Sequence, residues 1–74
     1  MERKVLDILK QVLKSKNIDE SVSMQSSENW DSLAHVNLVT ELEMEFGVSF
    51  EPEEFPELFS YEAIVSALRR KGID

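Results

Sequence analysis

The sequence predicts an all-α domain, a small antiparallel four-helix bundle with three longer helices and one short one. Three segments have apolar residues at every third or fourth position, which is the period of an amphipathic helix. No segment predicts a paired strand, because residues 48–50, the best candidate, are too few. A chain of 74 residues has room for one core, so we expect a single domain over residues 1–74.

The first helix is predicted over residues 2–16, about four turns. Its apolar stripe consists of Val5, Ile8, Leu9, Val12 and Leu13. Lysines near its C-terminal end interact favourably with the negative end of the helix dipole. Residues 17–29 are polar and have no helical period, so we expect a long loop. Long unstructured loops are uncommon in compact domains, and we expect three apolar side chains to hold this one against the core: Ile18, Val22 and Met24.

The central helix is predicted over residues 32–46, with Asp31 as its N-cap because a short carboxylate can accept the free amide hydrogens of the first turn. The side that we expect to face the core carries Val36, Val39, Leu42 and Phe46. The opposite side carries Leu33, Asn37, Glu41 and Met44. We interpret the two apolar residues there as part of a docking surface, although single exposed apolar side chains are also normal. Gly47 favours the left-handed conformation that ends a helix.

Two prolines limit the next segment. Pro52 suits a first helical turn and Pro56 prevents a long helix, so we expect one short helix within residues 52–59. The last helix begins after Ser60 and ends at the basic residues 69–71, before Gly72. Its apolar stripe consists of Ile64, Val65, Ala67 and Leu68.

Composition excludes several classes of function. The net charge is −7, and residues 17–68 contain twelve acidic and no basic residues, which argues against binding to nucleic acid and favours a partner with a basic surface. The chain has no cysteine, so it forms no disulfide and is compatible with a reducing cytoplasm. No apolar run approaches the roughly 20 residues of a membrane span, and the charged N-terminal helix is unlike a signal peptide. We therefore expect a cytoplasmic monomer.

Asp31, Ser32 and His35 resemble parts of a hydrolase site, because residues three apart are neighbours on a helix. Three points argue against catalysis: Asp31 is required as a cap, no third group orients His35, and so short a chain offers no oxyanion hole. We therefore expect no catalytic residue. We expect His35 to lie at a surface or flanking position. The acidic residues 51–57 lack the pattern of a calcium loop, and we expect no metal site. A phosphate on Ser32 would instead lie against free amides at the positive end of a helix.

Residues 31–33, Asp-Ser-Leu, with the helix VNLVTELEMEFGV, the acidic short helix and the last apolar helix, resemble the acyl carrier proteins over nearly the whole chain. The resemblance implies that a Mg²⁺-dependent phosphopantetheinyl transferase attaches 4′-phosphopantetheine from coenzyme A to Ser32. The thiol of this arm then carries acyl groups as thioesters, so the protein is a carrier and not an enzyme. The chain itself has no thiol, which is consistent with a cofactor that supplies the chemistry.

The resemblance also implies that acyl-loading and acyl-transfer enzymes present basic patches to the central helix. By position, the recognition residues are Asp31, Leu33, Glu41, Glu43, Met44, Glu45 and Glu53. Fatty-acid carriers usually have acidic residues where this chain has Ala34 and Asn37, and Met is common where it has Thr40. We therefore expect a freestanding carrier for a specialised polyketide, lipid or secondary pathway, ahead of general fatty-acid synthesis.

Two other functions remain open. A peptidyl or D-alanyl carrier would have the same arm on Ser32 and would receive an aminoacyl group from an adenylating enzyme. An acidic interaction module that is never modified would have no arm.

Overall fold

A computed structural model describes residues 1–73, and this part of the chain forms four helices and no strand. Helix α1 spans Glu2–Leu13, α2 spans Ser32–Phe46, the 3-10 helix η1 spans Pro52–Glu57, and α3 spans Tyr61–Arg70. The predicted all-α fold is confirmed. Within residues 1–73, no helix combines the length and the apolar character needed to cross a lipid bilayer.

Two ion pairs define the direction of the helices. Lys4 Nζ lies 3.5 Å from a Glu45 carboxylate oxygen, so the start of α1 is beside the end of α2. Arg69 lies 3.3 Å from Glu2, so the end of α3 is also beside the start of α1. Both α2 and α3 therefore run opposite to α1. The start of α2, with Ser32, lies at the other end of the bundle, beside the end of α1.

Helix α1 ends three residues earlier than predicted. Lys14 adopts the left-handed conformation with φ of 54° and turns the chain. The Ser15 amide donates to the Lys10 carbonyl at 3.1 Å, and the Asn29 side-chain amide donates to the Leu13 carbonyl at 2.9 Å. These bonds satisfy carbonyls that a helix end leaves free. The run of lysines in residues 10–16 has good helix propensity and gives no sign of this stop.

The predicted core face of α2 is confirmed at Val39 and Leu42, which are buried, and at Phe46, which is partly buried against the core. It is wrong at Val36, which is 51 % exposed, and it omits Leu38, which is fully buried. At about 100° per residue, Val36 lies about 120° from Leu42, too far round the helix to reach the core. A spacing of three and four residues is compatible with several faces, and choosing Val36 rotated the predicted face away from the true one.

The loop over residues 17–29 packs on the core as predicted. Val22 is buried, and Ile18 and Met24 are partly buried against the same core. The Met24 amide donates to the Phe59 carbonyl at 2.8 Å, and the Tyr61 amide donates to the Val22 carbonyl at 3.1 Å. These two bonds fix the loop to the start of α3.

Short helix η1 is capped at its start and paired at its side. The Glu54 amide donates to the Glu51 carbonyl at 2.8 Å, and the Glu54 carboxylate accepts from the Glu51 amide at 2.7 Å. Lys71 Nζ lies 3.1 Å from Glu54, and Arg70 lies 3.7 Å from Glu57. The Glu51 amide bond, followed by the Lys71 side chain, lowers the pKa of Glu54 below its ordinary value. Two carboxylates of η1 therefore bind the basic end of α3.

Candidate functional site

Ser32 is the first residue of α2 and is exposed. Asp31 precedes it in extended conformation, with φ of −98° and ψ of −174°, and its carboxylate accepts from the Ala34 amide at 2.8 Å. The predicted N-cap is confirmed. Within residues 1–73, no residue forms a hydrogen bond with the Ser32 hydroxyl, and the first two amides of the helix, at Ser32 and Leu33, have no intrahelical acceptor.

The amides at the start of α2 suit an anion. Two free N–H groups and the positive end of a helix of 15 residues favour a phosphate attached to the adjacent hydroxyl. A groove of about 320 Å³ runs beside this point and is lined by both neighbours of Ser32, Asp31 and Leu33, with the amide side chains of Asn29 and Asn37. Lys14 also lines the groove and brings a cation to this otherwise acidic region.

His35 is buried, so the predicted surface or flanking position is wrong. Only 5 % of the residue is exposed. Its Nδ1 accepts a hydrogen bond from the Trp30 indole at 3.0 Å, and its Nε2 lies 2.9 Å from the Phe55 carbonyl oxygen. Both ring nitrogens are therefore occupied, and neither can take a proton from Ser32. This geometry excludes the Ser-His arrangement required for a nucleophilic serine.

The Trp30–His35 contact is the part of the site that the sequence interpretation missed. Trp30 is 2 % exposed, and a buried indole N–H almost always has an acceptor. His35, one helical turn after the cap residue Asp31, is close enough in the sequence to supply this acceptor. The demand of a buried tryptophan for an acceptor is the signal that could have identified this pair.

The outward face of α2 carries no charged side chain over its first three turns, and most of its residues are apolar. Leu33 is 71 % exposed and Met44 is 73 % exposed, which confirms the exposure predicted for both. Val36 joins them, contrary to prediction, since it lies only about 60° from Leu33 around the helix. The stripe, which we call the α2 outer face, consists of Leu33, Val36, Asn37, Thr40 and Met44.

The acidic residues predicted for partner recognition lie on different sides. Glu41 and Glu43 are about 160° apart around α2 and flank the outer face from opposite sides. The Glu43 carboxylate accepts from the Phe50 amide at 2.8 Å, so it holds the segment after α2. Glu45 pairs with Lys4. The remaining two acidic residues of the predicted set, Asp31 and Glu53, are exposed.

A larger cavity, of about 500 Å³, lies away from this site. It is lined by Met24, Pro56, Phe59 and Ala63 among others, and none of its lining residues belongs to the segment 30–38. Ser32 therefore lies on an exposed surface and does not line this cavity.

Comparison with known families gives one match. A family model described as phosphopantetheine attachment site matches residues 3–70, from the first turn of α1 to the end of α3. No curated protein matches the chain. The matched region includes Ser32 and the whole of α2.

Proposed function

Because the chain belongs to the phosphopantetheine attachment-site family, whose domains carry 4′-phosphopantetheine covalently, we propose that the arm is attached to Ser32 and that the protein carries acyl groups on it. The observation that supports Ser32 most strongly is its hydroxyl, which is exposed at the start of α2 and has no hydrogen-bond partner among residues 1–73. When bound, the arm supplies a thiol that forms thioesters, and the chain has no cysteine to do so.

The residues around Ser32 fit a phosphodiester. The free amides of Ser32 and Leu33 lie at the positive end of the α2 dipole, where they stabilise negative charge. Lys14 lines the adjoining groove, and the side-chain amides of Asn29 and Asn37 offer hydrogen bonds to the amide groups of an arm that lies there. These groups bind and orient the arm, and none of them takes part in a reaction.

Attachment requires an enzyme from outside. The Ser32 oxygen forms a bond to the phosphorus that carries the pantetheine group as the pyrophosphate bond of coenzyme A breaks, adenosine 3′,5′-bisphosphate leaves, and the hydroxyl proton passes to a base. His35 has both nitrogens occupied and Asp31 caps α2, so neither is available as the base. We therefore assign the base to a Mg²⁺-dependent phosphopantetheinyl transferase.

We propose that the α2 outer face, flanked by Glu41 and joined by Asp31 and Glu53, binds the transferase and the enzymes that load and unload the acyl group. Leu33 and Met44 provide apolar contact area, and the carboxylates attract basic patches. Glu43 and Glu45, named from the family resemblance, are engaged within the chain and contribute less. Such binding weakens with salt, because exposed charges are screened over about 8–10 Å at ordinary ionic strength.

The same face supports a proposal for the pathway. Its first three turns carry no acidic side chain between Asp31 and Glu41, which favours a specialised carrier in polyketide, lipid or secondary metabolism over general fatty-acid synthesis. The alternative is a peptidyl or D-alanyl carrier. Loading assays with fatty-acyl ligases and with amino-acid-adenylating enzymes separate the two, because only the right class of enzyme acylates the arm. A free thiol suits a reducing compartment, and we propose the cytoplasm.

The test is the intact mass of the purified chain after incubation with coenzyme A, Mg²⁺ and a broad-specificity transferase. We expect the wild type to gain the mass of one phosphopantetheine and Ser32→Ala to gain nothing. Ser66→Ala, which removes an exposed hydroxyl from α3, is the matched control and should be modified like the wild type. An unchanged wild-type mass would remove the carrier proposal and leave the unmodified interaction module.

A further inference from the structure

His35 lies where four segments of the chain meet. Its ring stacks on Trp30, with ring centroids 6.1 Å apart, and contacts two phenylalanines edge-on, Phe59 at 4.6 Å and Phe55 at 6.4 Å. Trp30 belongs to the segment before Ser32, Phe55 to η1, and Phe59 to the connection between η1 and α3. A polar ring enclosed in this way is stabilised only when both nitrogens are satisfied.

The hydrogen bonds assign the proton on His35. The Trp30 indole can only donate, so Nδ1 of His35 must be an unprotonated acceptor. The Phe55 carbonyl can only accept, so Nε2 must carry the hydrogen. The ring is therefore the neutral Nε2–H form, and each nitrogen has one defined role.

Three consecutive side chains before Ser32 anchor the chain to three different places. Asn29 donates to the Leu13 carbonyl at the end of α1, Trp30 donates to His35 inside the bundle, and Asp31 accepts from the Ala34 amide. The Trp30 anchor is the buried one of the three. Buried hydrogen bonds hold geometry more firmly than exposed ones, because water cannot replace the lost partner.

We propose that His35 is a positioning residue for Ser32, acting through the Trp30 indole, and that its other nitrogen holds η1 and not the serine. The proposal rests on the modification of Ser32 proposed above. Loss of the Nδ1 acceptor leaves the indole N–H unsatisfied and releases Trp30, and the backbone of Asp31 and Ser32 follows. The hydroxyl then spends less time in the orientation required for transfer.

Two substitutions separate the two hydrogen bonds of His35. His35→Asn keeps an oxygen near the place of Nδ1, so it can still accept from Trp30 but cannot reach the Phe55 carbonyl. His35→Gln places an amide N–H near the place of Nε2, so it can still donate to Phe55 but loses the Trp30 bond. Both variants lose one hydrogen bond and some packing, so both lose stability. His35→Asn releases η1, whereas His35→Gln releases the segment before Ser32.

The kinetic test measures kcat and KM of the transferase with each variant as substrate. We expect His35→Gln to lower kcat about tenfold with KM changed by less than about twofold, and His35→Asn to keep kcat within about threefold of the wild type. Trp30→Phe, which removes the donor, should behave like His35→Gln. Val5→Ala is the control for lost stability, since Val5 is fully buried in α1 next to Lys4, at the opposite end from Ser32, and its kcat should equal that of the wild type.

A spectroscopic test needs no enzyme. The chain has one tryptophan and one histidine, so each ring gives a single set of nitrogen signals in an NMR spectrum. We expect the His35 ring to show the Nε2–H form and the Trp30 indole hydrogen to exchange slowly with solvent in the wild type and in His35→Asn. In His35→Gln the indole hydrogen should exchange faster.

The outcomes are distinct from those of the carrier proposal. An Nδ1–H form in the wild type, or equal kcat for His35→Asn and His35→Gln, would overturn the positioning role even if Ser32 is modified normally. If the wild type is not modified at all, the carrier proposal fails, and the NMR spectra still decide whether the Trp30–His35 bond exists. If one of the His35 variants does not fold, Trp30→Phe against Val5→Ala decides the kinetic question.

Discussion

The two ends of the bundle are held by different forces. At the end where α1 begins and α3 finishes, basic residues form ion pairs on the surface: Lys4 with Glu45, Arg69 with Glu2, Arg70 with Glu57 and Lys71 with Glu54. At the end that carries Ser32, the structure of residues 1–73 has no such ion pair. The contacts there are hydrogen bonds of Asn29, Trp30 and Asp31.

The ion pairs of the basic end contribute to stability, whereas the Ser32 end is the one that we propose for partner recognition. Exposed ion pairs contribute about 0–1 kcal/mol each and weaken with salt, so the basic end adds modestly to the free energy of unfolding. These pairs also neutralise four positive charges within the chain, those of Lys4, Arg69, Arg70 and Lys71. In the proposed function, the acidic residues at the Ser32 end bind a partner, whereas the geometry of this end depends on hydrogen bonds within the chain. Raising the salt concentration should therefore weaken partner binding without displacing the serine.

The first prediction tests which face of α2 is buried, and its expected effect is the largest. Leu38→Ala should lower the free energy of unfolding by about 2–5 kcal/mol, because it leaves a cavity in the core. Val36→Ala, on the outer face, should change it by less than about 0.5 kcal/mol. Urea denaturation followed by circular dichroism measures both. Equal losses in the two variants would mean that the helix is rotated toward the face predicted from the sequence.

The second prediction concerns recognition at the Ser32 end. Leu33→Ala and Glu41→Lys should each lower the transferase kcat/KM, by about tenfold if the loss is near 1.4 kcal/mol of binding energy, while the circular dichroism spectrum stays unchanged. Arg3→Ala, an exposed change at the basic end, is the control and should leave kcat/KM unaffected. A loss of helicity in Leu33→Ala would show that this residue packs in the core.

The third prediction concerns the basic end, and its effect is the smallest. The folded pKa of Glu54 is lowered, chiefly by the Glu51 amide and then by Lys71, so its contribution to stability is present above the ordinary pKa of 4.5 and is lost as the pH falls through the lowered value. Glu54→Gln should melt slightly below the wild type at pH 7, and the difference should shrink below pH 4.5. A difference that grows on acidification would contradict this assignment.

Local signals predicted most of the fold. Asp31, Gly47 and Ser60 end or begin helices as expected, because caps depend on a residue and its immediate neighbours. The end of α1 was missed because it depends on Asn29, sixteen residues away. The face of α2 was misjudged because the helix period alone does not choose between Val36 and Leu38.

The site was predictable in part for the same reason. The exposure of Ser32, Leu33 and Met44 follows from the position of the cap and the helical period, both of which are local. The burial of His35 also requires Phe55 to meet it across twenty residues of chain, and no local pattern contains that contact. Similarly, the engagement of Glu43 with Phe50 depends on how the chain turns after Gly47.

The most direct test of the central claim is a fragment mass spectrum that locates the arm on the modified chain. The chain has nine serines, and eight of them lie elsewhere in the sequence. We predict a single phosphopantetheine on Ser32, with fragments that end before residue 32 unmodified and fragments that include it heavier by one arm. An arm on any other serine, or a chain that remains unmodified with an active transferase, would contradict the account.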